Sequence, residues 1–305
     1  MTFNPKNAIK QLIHCAFVLG QGVGVDILPR HFYSEIPNIR RLRHSSEWRH
    51  KYSMRSVIGA DCDEQLHFLR DIPVPPAPQP SAVYDRACED NGAPGYGLIE
   101  AELLYAYIVF SRPAAILQIG AGVSTSVILQ AAKASGYRPA ITCIDPYPTE
   151  FLRRSAAQGL INLVEQPVQT IAPDRVQELA AGDLLFIDST HTLGPAGEVS
   201  RLVLEWLPCL TVGVRVHFHD ITFPYDYPGN IISSGLFFSH ETPLLHAFLA
   251  MNPSFRILCS LSMLHHERRA QLAAKFPDYR PCQTEQGLAL GPGDFPTALF
   301  LERIA

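Results

Sequence analysis

The sequence is short of charge and shorter still of charge imbalance. Only 18% of its 305 residues are Asp, Glu, Lys or Arg, and 25 basic against 29 acidic side chains leave a formal net charge of -4. Nothing therefore draws nucleic acid phosphates to the chain as a whole. No run approaches the ~20 apolar residues that a membrane-spanning helix needs. The apolar stretch 12–19 follows Lys6 and Lys10, as in a secretory leader. His14 interrupts it and no small-x-small cleavage pattern follows, so it reads as part of the folded protein. C-x-x-C spacings are missing as well: Cys15, Cys62, Cys88, Cys143, Cys209, Cys259 and Cys282 are scattered and odd in number. That argues against a zinc knuckle or a disulfide framework and for reduced thiols in a cytoplasm. What the chain does have is a hydrophobic fraction of 47%, enough for a sizeable core in a length suited to about two domains.

Prolines and glycines divide the chain in three. Residues 1–70 read as an N-terminal region, partly helical and partly irregular. Its basic stretches Arg40-Arg41-Leu42-Arg43 and Arg49-His50-Lys51 lack interleaved aromatics and read as solvated faces. Residues 71–93 read as a linker, because the prolines from Pro73 to Pro80 fix φ and remove N–H donors. From residue 94 onward strands and helices alternate. The pattern predicts helix 98–110, strand 115–119, helix 123–135, strand 140–144, helix 151–158, strand 160–165, helix 174–181 and strand 183–187. Helix 198–207, strand 212–219, helix 243–251, strand 255–259 and helix 268–275 follow. An irregular stretch 276–296 and a strand 297–303 complete the chain. This order predicts an α/β protein with a doubly wound, mainly parallel sheet.

The chemistry-bearing residues fall at strand tips. The first strand runs into Gln118-Ile-Gly120-Ala121-Gly122-Val-Ser124-Thr125-Ser126, a tight turn that opens a helix. Glycine lets backbone amides approach a ligand, and the helix N-terminus adds free N–H groups and partial positive charge. Asp145, directly after the second strand, is placed to bond both hydroxyls of a ribose. Together they indicate an adenosyl cofactor, NAD or S-adenosylmethionine. The third glycine of G-x-G-x-x-G is absent, which disfavours NAD. Asp188 ends the fourth strand with His191 three residues on, and His219 and Asp220 end the fifth. Adjacent strands lie about 4.8 Å apart, so these groups converge above the sheet.

Two readings stay open for that cluster. In one, Asp188, His191, His219 and Asp220 supply ligands for a divalent metal such as Mg or Mn, which acidifies an acceptor hydroxyl. In the other, His191 or His219 is a general base oriented by Asp188, with a pH limb near the ordinary histidine value of about 6.5 shifted by its neighbours. Tyr96 and Tyr105 are candidate pocket aromatics, and Tyr225-Asp226-Tyr227 lies where an acceptor would be selected. Glu241 reads either as a helix-start carboxylate or as an acceptor-site one. His265-His266 reads as surface.

Four segments in order, the glycine turn from Gln118 to Ser126, Cys143-Ile-Asp-Pro, Leu185-Phe-Ile-Asp-Ser-Thr-His and His217-Phe-His-Asp-Ile-Thr-Phe-Pro, resemble the class I S-adenosylmethionine-dependent methyltransferases. The likeness is to the small-molecule branch with a G-x-G-x-S-T first motif, and it covers about residues 94–303. It implies a Rossmann-like seven-stranded sheet in the order 3-2-1-4-5-7-6, with the last strand antiparallel. It also implies S-adenosylmethionine across the tips of strands 1 and 2, near Gln118, Gly120, Ala121, Gly122, Ser124, Thr125, Asp145, Asp188 and Tyr96. The expected reaction is methyl transfer to a small-molecule acceptor, first of all a hydroxyl oxygen, with His191, His219 and Asp188 catalytic. Gln118 departs from the acidic residue usual at its position. The N-terminal region is expected to cover the acceptor site. A homodimer is compatible with the sequence, whereas nucleic acid and membrane are not expected partners. A cofactor-binding protein without turnover and an NAD-dependent oxidoreductase are the rival readings.

Overall fold

Short apolar runs without polar alternation build the centre of the protein. The computed structural model describes residues 5–32, 34, 36–73, 79–227, 237–279, 282–284, 287–289 and 296–305. In it, β1 (Ala115–Ile119), β2 (Ala140–Ile144), β3 (Asn162–Val164), β4 (Leu184–Ile187) and β5 (Arg215–Phe218) pair in parallel. β6 (Phe255–Ser260) and β9 (Leu299–Arg303) complete a seven-stranded sheet in the order β3-β2-β1-β4-β5-β9-β6, with β9 antiparallel to both neighbours. With β9 as the seventh strand of this sheet, the order is the expected 3-2-1-4-5-7-6. β4 is buried along its whole length, which is why Leu-Leu-Phe-Ile shows no alternation. A separate hairpin of β7 (Cys282–Thr284) and β8 (Gly287–Ala289) occupies part of the stretch 276–296 expected to be irregular. Much of that stretch lies outside the described residues.

Helices flank the sheet. α4 (Pro80–Asn91), α5 (Leu98–Ser111) and α6 (Val123–Ala134) pack against one another. Every residue of α5 from Ile99 to Ile108 is buried, so it is an internal helix with no solvated face. α7 (Glu150–Ala157), α8 (Glu198–Arg201), α9 (Glu241–Leu249), α10 (Leu261–Glu267) and α11 (Arg269–Lys275) follow. Trp206, Phe186, Phe218 and Phe300 are among the largest fully buried side chains. Among the described residues, no helix is long and apolar enough to cross a membrane.

Residues 1–45 and 46–305 form two compact units, so the division falls earlier than the expected boundary at 70. The first unit holds α1 (Pro5–Gln21) and the single turn α2 (Ile39–Leu42). Residues 46–71 belong to the second because they are bonded into it. Tyr52 N–H donates to Pro224 O and Ile257 N–H to Ile58 O, each at 2.9 Å, and α3 (Cys62–Asp71) packs on β6. The linker expected over 71–93 is shorter too. Pro80 takes the first helical position of α4, where its missing N–H is no loss, and Gly92 closes that helix at φ 82. Residues 74–78 lie outside the described residues.

Three further expectations are corrected. Residues 173–178 form a 3-10 helix that ends short of the expected 181, because Gly182 (φ 89) must already turn the chain into β4. The helix expected over 198–207 opens as α8 and widens to a π-helix over Leu202–Trp206. It then tightens at Leu207–Cys209, where Pro208 has no N–H to continue it. Finally, Ser260 Oγ accepts from Met263 N–H and starts the unexpected α10. That helix buries His265, whose Nδ1 meets the Tyr279 hydroxyl at 2.7 Å, and packs half-buried His266 on Tyr225. The histidine pair is not a surface feature.

Candidate active site

The first residue past each central strand is tied to its neighbour by a backbone bond, so the tips form a staircase. Asp145 N–H donates to Val164 O (3.1 Å), Gly120 N–H to Ile144 O (3.0 Å), Asp188 N–H to Ile119 O (2.8 Å) and His219 N–H to Ile187 O (3.0 Å). Chain connections diverge between β1 and β4, the switch point where open α/β sheets bind ligands. There Gly120 has φ 75, and a Cβ on it would stand 2.0 Å from the Asp188 carbonyl oxygen.

The turn after β1 is held by its own side chains. Asp145 accepts from Ala121 N–H (3.1 Å) through Oδ2 and from Tyr147 N–H (2.7 Å) through Oδ1. Gly122 N–H donates to Thr125 Oγ1 at 3.2 Å. Gln118 is fully buried, donates to Ser124 Oγ (3.3 Å) and accepts from the Cys143 thiol (3.6 Å). An amide both donates and accepts, whereas an ionised carboxylate only accepts. This place therefore suits the departure from an acidic residue.

Above β4 and β5 the four expected polar residues come together. His191 Nε2 lies 3.6 Å from Asp188 Oδ1 and 3.5 Å from Asp220 Oδ2. His219 Nδ1 lies 3.4 Å and 3.7 Å from the same two oxygens. The far nitrogens are held by buried carboxylates, His191 Nδ1 by Glu241 Oε2 at 2.6 Å and His219 Nε2 by Glu100 Oε2 at 3.0 Å. Both histidines are buried, while Asp188 at 29% and Asp220 at 49% side-chain exposure form the open rim. His191 (φ 60) and Asp220 (φ 59) hold left-handed backbone, which costs a non-glycine residue about 1–3 kcal/mol and gathers at functional sites.

Four carboxylates around two imidazoles decide the protonation. Burial alone would lower His191, yet Asp188, Glu241 and Asp220 outweigh it and raise it to about 10. His219 also stands well above its ordinary value, because Glu100, Asp220 and Asp188 overcome its burial. Burial pushes Asp188 upward, but the two imidazoles hold its carboxyl well below the usual range. The surrounding carboxylates therefore favour the charged form of both rings. Among the described residues, no group of three or more His, Cys, Asp or Glu is arranged to hold an ion as it stands. Asp188, His191, His219 and Asp220 nonetheless come together as expected, and both the metal-ligand and the general-base readings of the cluster stand.

Beneath the cluster, His217 stacks on Phe186 with centroids 4.4 Å apart and shares a 2.9 Å hydrogen bond with the Tyr96 hydroxyl. Burial and the charge of His219 bring His217 down to about 3, so it is neutral. Tyr96 is buried with its ring 4.9 Å from that of His219. It forms a wall of the site, and Tyr105 is core.

Residues 117–221, from the glycine turn to the tip of β5, match the family model described as a methyltransferase domain. That segment carries the methyltransferase domain expected of a class I S-adenosylmethionine-dependent enzyme. This methyltransferase is 30% identical over 167 residues to an uncharacterised protein of Archaeoglobus fulgidus, covering 49% of this chain and 72% of that one. It is similar to the solved O-methyltransferase TomG of Streptomyces achromogenes, involved in tomaymycin synthesis and in complex with S-adenosylmethionine. That match has 14% identity and a TM-score of 0.45, over 80% of this chain and 96% of the other. An S-adenosylhomocysteine-bound methyltransferase from Podospora anserina matches at 12% identity and a TM-score of 0.41, over 92% and 99% of the two chains.

Glu100 is the member of the methyltransferase cluster that sequence reasoning misses. Besides His219 it accepts from Gly97 N–H, Thr297 N–H and the Thr297 hydroxyl, so it joins the start of α5 to the approach of β9. The available signal was a carboxylate in Leu98-Ile-Glu-Ala-Glu-Leu-Leu, a helix too apolar to offer it a solvated face. The same signal marks Glu102, whose two carboxylate oxygens are buried without partners and which burial pushes up to about 7. Glu241 meets both of its expected descriptions, as the first residue of α9 and as the partner of His191.

Proposed function

We propose that this methyltransferase moves the methyl group of S-adenosylmethionine to a hydroxyl oxygen of a small-molecule acceptor, with His191 and His219 handling the acceptor's proton. One arrangement supports this reading. Each imidazole at the tips of β4 and β5 is fixed through its far nitrogen by a buried carboxylate and turns its near nitrogen to the space rimmed by Asp188 and Asp220. The cofactor supplies a methyl group already activated on a sulfonium, so catalysis is largely alignment of the acceptor. The chain suits that cofactor. The Gly120 turn and the start of α6 offer close backbone and free amides. The Asp145 oxygens keep lone pairs beyond those engaged by Ala121 and Tyr147, for the ribose hydroxyls. Gln118, Ser124 and Thr125 act through the shape of the turn.

A hydroxyl attacks well only after losing its proton. An oxygen bound between His191 Nε2 and His219 Nδ1 is stabilised in its ionised form by the N–H of whichever ring is charged. When one ring is neutral, that ring accepts the proton. Asp188, beside both near nitrogens, orients them. No step is assigned to a metal.

Titration calorimetry with S-adenosylmethionine and S-adenosylhomocysteine, followed by a labelled methyl-transfer screen over hydroxylated small molecules, tests the reading. The expected result is binding of both sulfur ligands, far weaker binding of NAD, and label in a methyl ether. No heat from either sulfur ligand on folded protein would end it. Tight binding with no transfer to hydroxyl, amine or carbon acceptors would leave the cofactor-binding protein as the survivor.

A further inference from the structure

We infer that Glu241 is a positioning residue that fixes the tautomer and ring orientation of His191, so that Nε2 and not Nδ1 faces the acceptor. The inference deepens the proposed methyl transfer, and only its kinetic arm rests on that reading. Glu241 has a side-chain exposure of 1%, too deep to meet an acceptor itself. Its two oxygens have separate duties: Oε2 lies 2.6 Å from His191 Nδ1, and Oε1 accepts the Ser189 hydroxyl at 3.0 Å. Where Glu241 is ionised it offers no hydrogen, so Nδ1 carries one whether the ring is charged or neutral, and Nε2 is the nitrogen that gives up or takes the proton.

The backbone closes the same contact from the other side. The His191 carbonyl oxygen accepts from His240 N–H (2.8 Å) and Glu241 N–H (3.2 Å), and Ser189 Oγ accepts from His191 N–H at 3.2 Å. Four hydrogen bonds thus lock residues 189–191 to the start of α9 and a fifth closes the loop on itself, with His191 in its left-handed backbone. The atom of this ring of contacts that reaches Asp188 and Asp220 is His191 Nε2. Glu100 does not isolate the same effect on His219, because it also bonds Gly97 and Thr297. Glu241 touches His191 and Ser189 alone among polar side chains with a hydrogen bond to it, which makes it the cleaner probe.

The test uses the full chain labelled with nitrogen-15 histidine. Long-range proton–nitrogen spectra of the wild type should show Nδ1 of His191 protonated throughout a pH titration. A wild-type Nδ1 without its hydrogen would overturn the inference before any variant is made. In Glu241→Gln, whose amide can turn either its oxygen or its NH2 to the ring, the neutral ring should no longer keep its hydrogen on Nδ1 alone, and Glu241→Asp should recover part of that preference. With an acceptor in hand, the Gln variant should lose about 10–100-fold in kcat, the range for removing a group that orients a functional histidine. KM for the acceptor and affinity for S-adenosylhomocysteine should stay unchanged. A folded Gln variant with the wild-type Nδ1 signal and wild-type kcat would overturn it. The spectra need no acceptor, so failure of the methyl-transfer reading and failure of this inference are told apart.

Discussion

Gly120→Ala strains the one point where β1 and β4 touch beyond the sheet. Left-handed backbone at φ 75 costs alanine about 1–2 kcal/mol. The new Cβ would also stand 2.0 Å from the carbonyl oxygen and 3.1 Å from the carbonyl carbon of Asp188. These are backbone atoms that no rotamer moves, so the two tips must part until the contact reaches at least 3.0 Å. Overpacking of this kind adds about 1–3 kcal/mol, for a total of about 2–5 kcal/mol. At about 2–4 °C per kcal/mol for a unit of this size, Tm should drop by about 4–20 °C. Chemical denaturation should show a lower midpoint at unchanged slope. Turnover should suffer more than stability, because Asp188 lies 3.6 Å and 3.4 Å from the two working nitrogens and moves with its own carbonyl. Gly95→Ala, whose Cβ would meet nothing within 4 Å, is the control, with a change within about 0.5 kcal/mol. An alanine at 120 that keeps both the wild-type midpoint and the wild-type affinity for S-adenosylhomocysteine would refute the reasoning.

The rate of methyl transfer should rise with pH along a limb well above the ordinary histidine value of about 6.5. Below about 10, His191 is charged and cannot accept a proton, so a limb centred at 6.5 would contradict the assignment. Activity should survive exhaustive dialysis against a chelator. Activity lost there and restored by Mg or Mn would give Asp188, His191, His219 and Asp220 the role of ligands. Glu102, raised to about 7 from an unfolded value of about 4.3, makes the fold lose stability as pH climbs between those two values. Glu102→Gln should remove that slope and gain about 2–3 kcal/mol over wild type at pH 8, as compared by denaturation midpoints at pH 5 and 8. Removal of residues 1–45 should leave the melting transition and cofactor affinity of the larger unit. Removal of residues 1–70 should unfold it, because Gln65 holds Ser260 N–H and Gly59 O at 2.9 and 3.0 Å inside the core; circular dichroism separates the two outcomes.

The sheet was legible because a strand buried on both faces is almost wholly apolar, as Leu184–Ile187 is and as Ala115–Ile119 is but for Gln118. The functional residues at its rim were legible for a related reason: Gly120, Asp145, Asp188 and His219 are each the first residue after a strand. Their partners were not. Glu100 reaches His219 across 119 positions and Glu241 reaches His191 across 50, and no spacing rule on one strand can report a carboxylate delivered by a helix. The charge state followed the same limit, since a histidine next to one aspartate differs from one enclosed by three carboxylates. Pro80 was misread with its neighbours as linker because the first position of a helix and an extended strap ask the same thing of proline.

The staircase of bonds at the strand tips has a kinetic consequence. The amides of Asp145, Gly120, Asp188 and His219 each exchange hydrogen with solvent only when the last carbonyl of the adjacent strand lets go. Opening at one step loosens the next, so the four amides should exchange as a cooperative group with a common protection factor. A ligand resting on β1 and β2 alone then slows exchange at Asp188 and His219, which it never touches. An acceptor settling over β4 and β5 slows it at Gly120 and Asp145 in turn. The rim of the sheet reports occupancy of either half of the site through the other half's backbone.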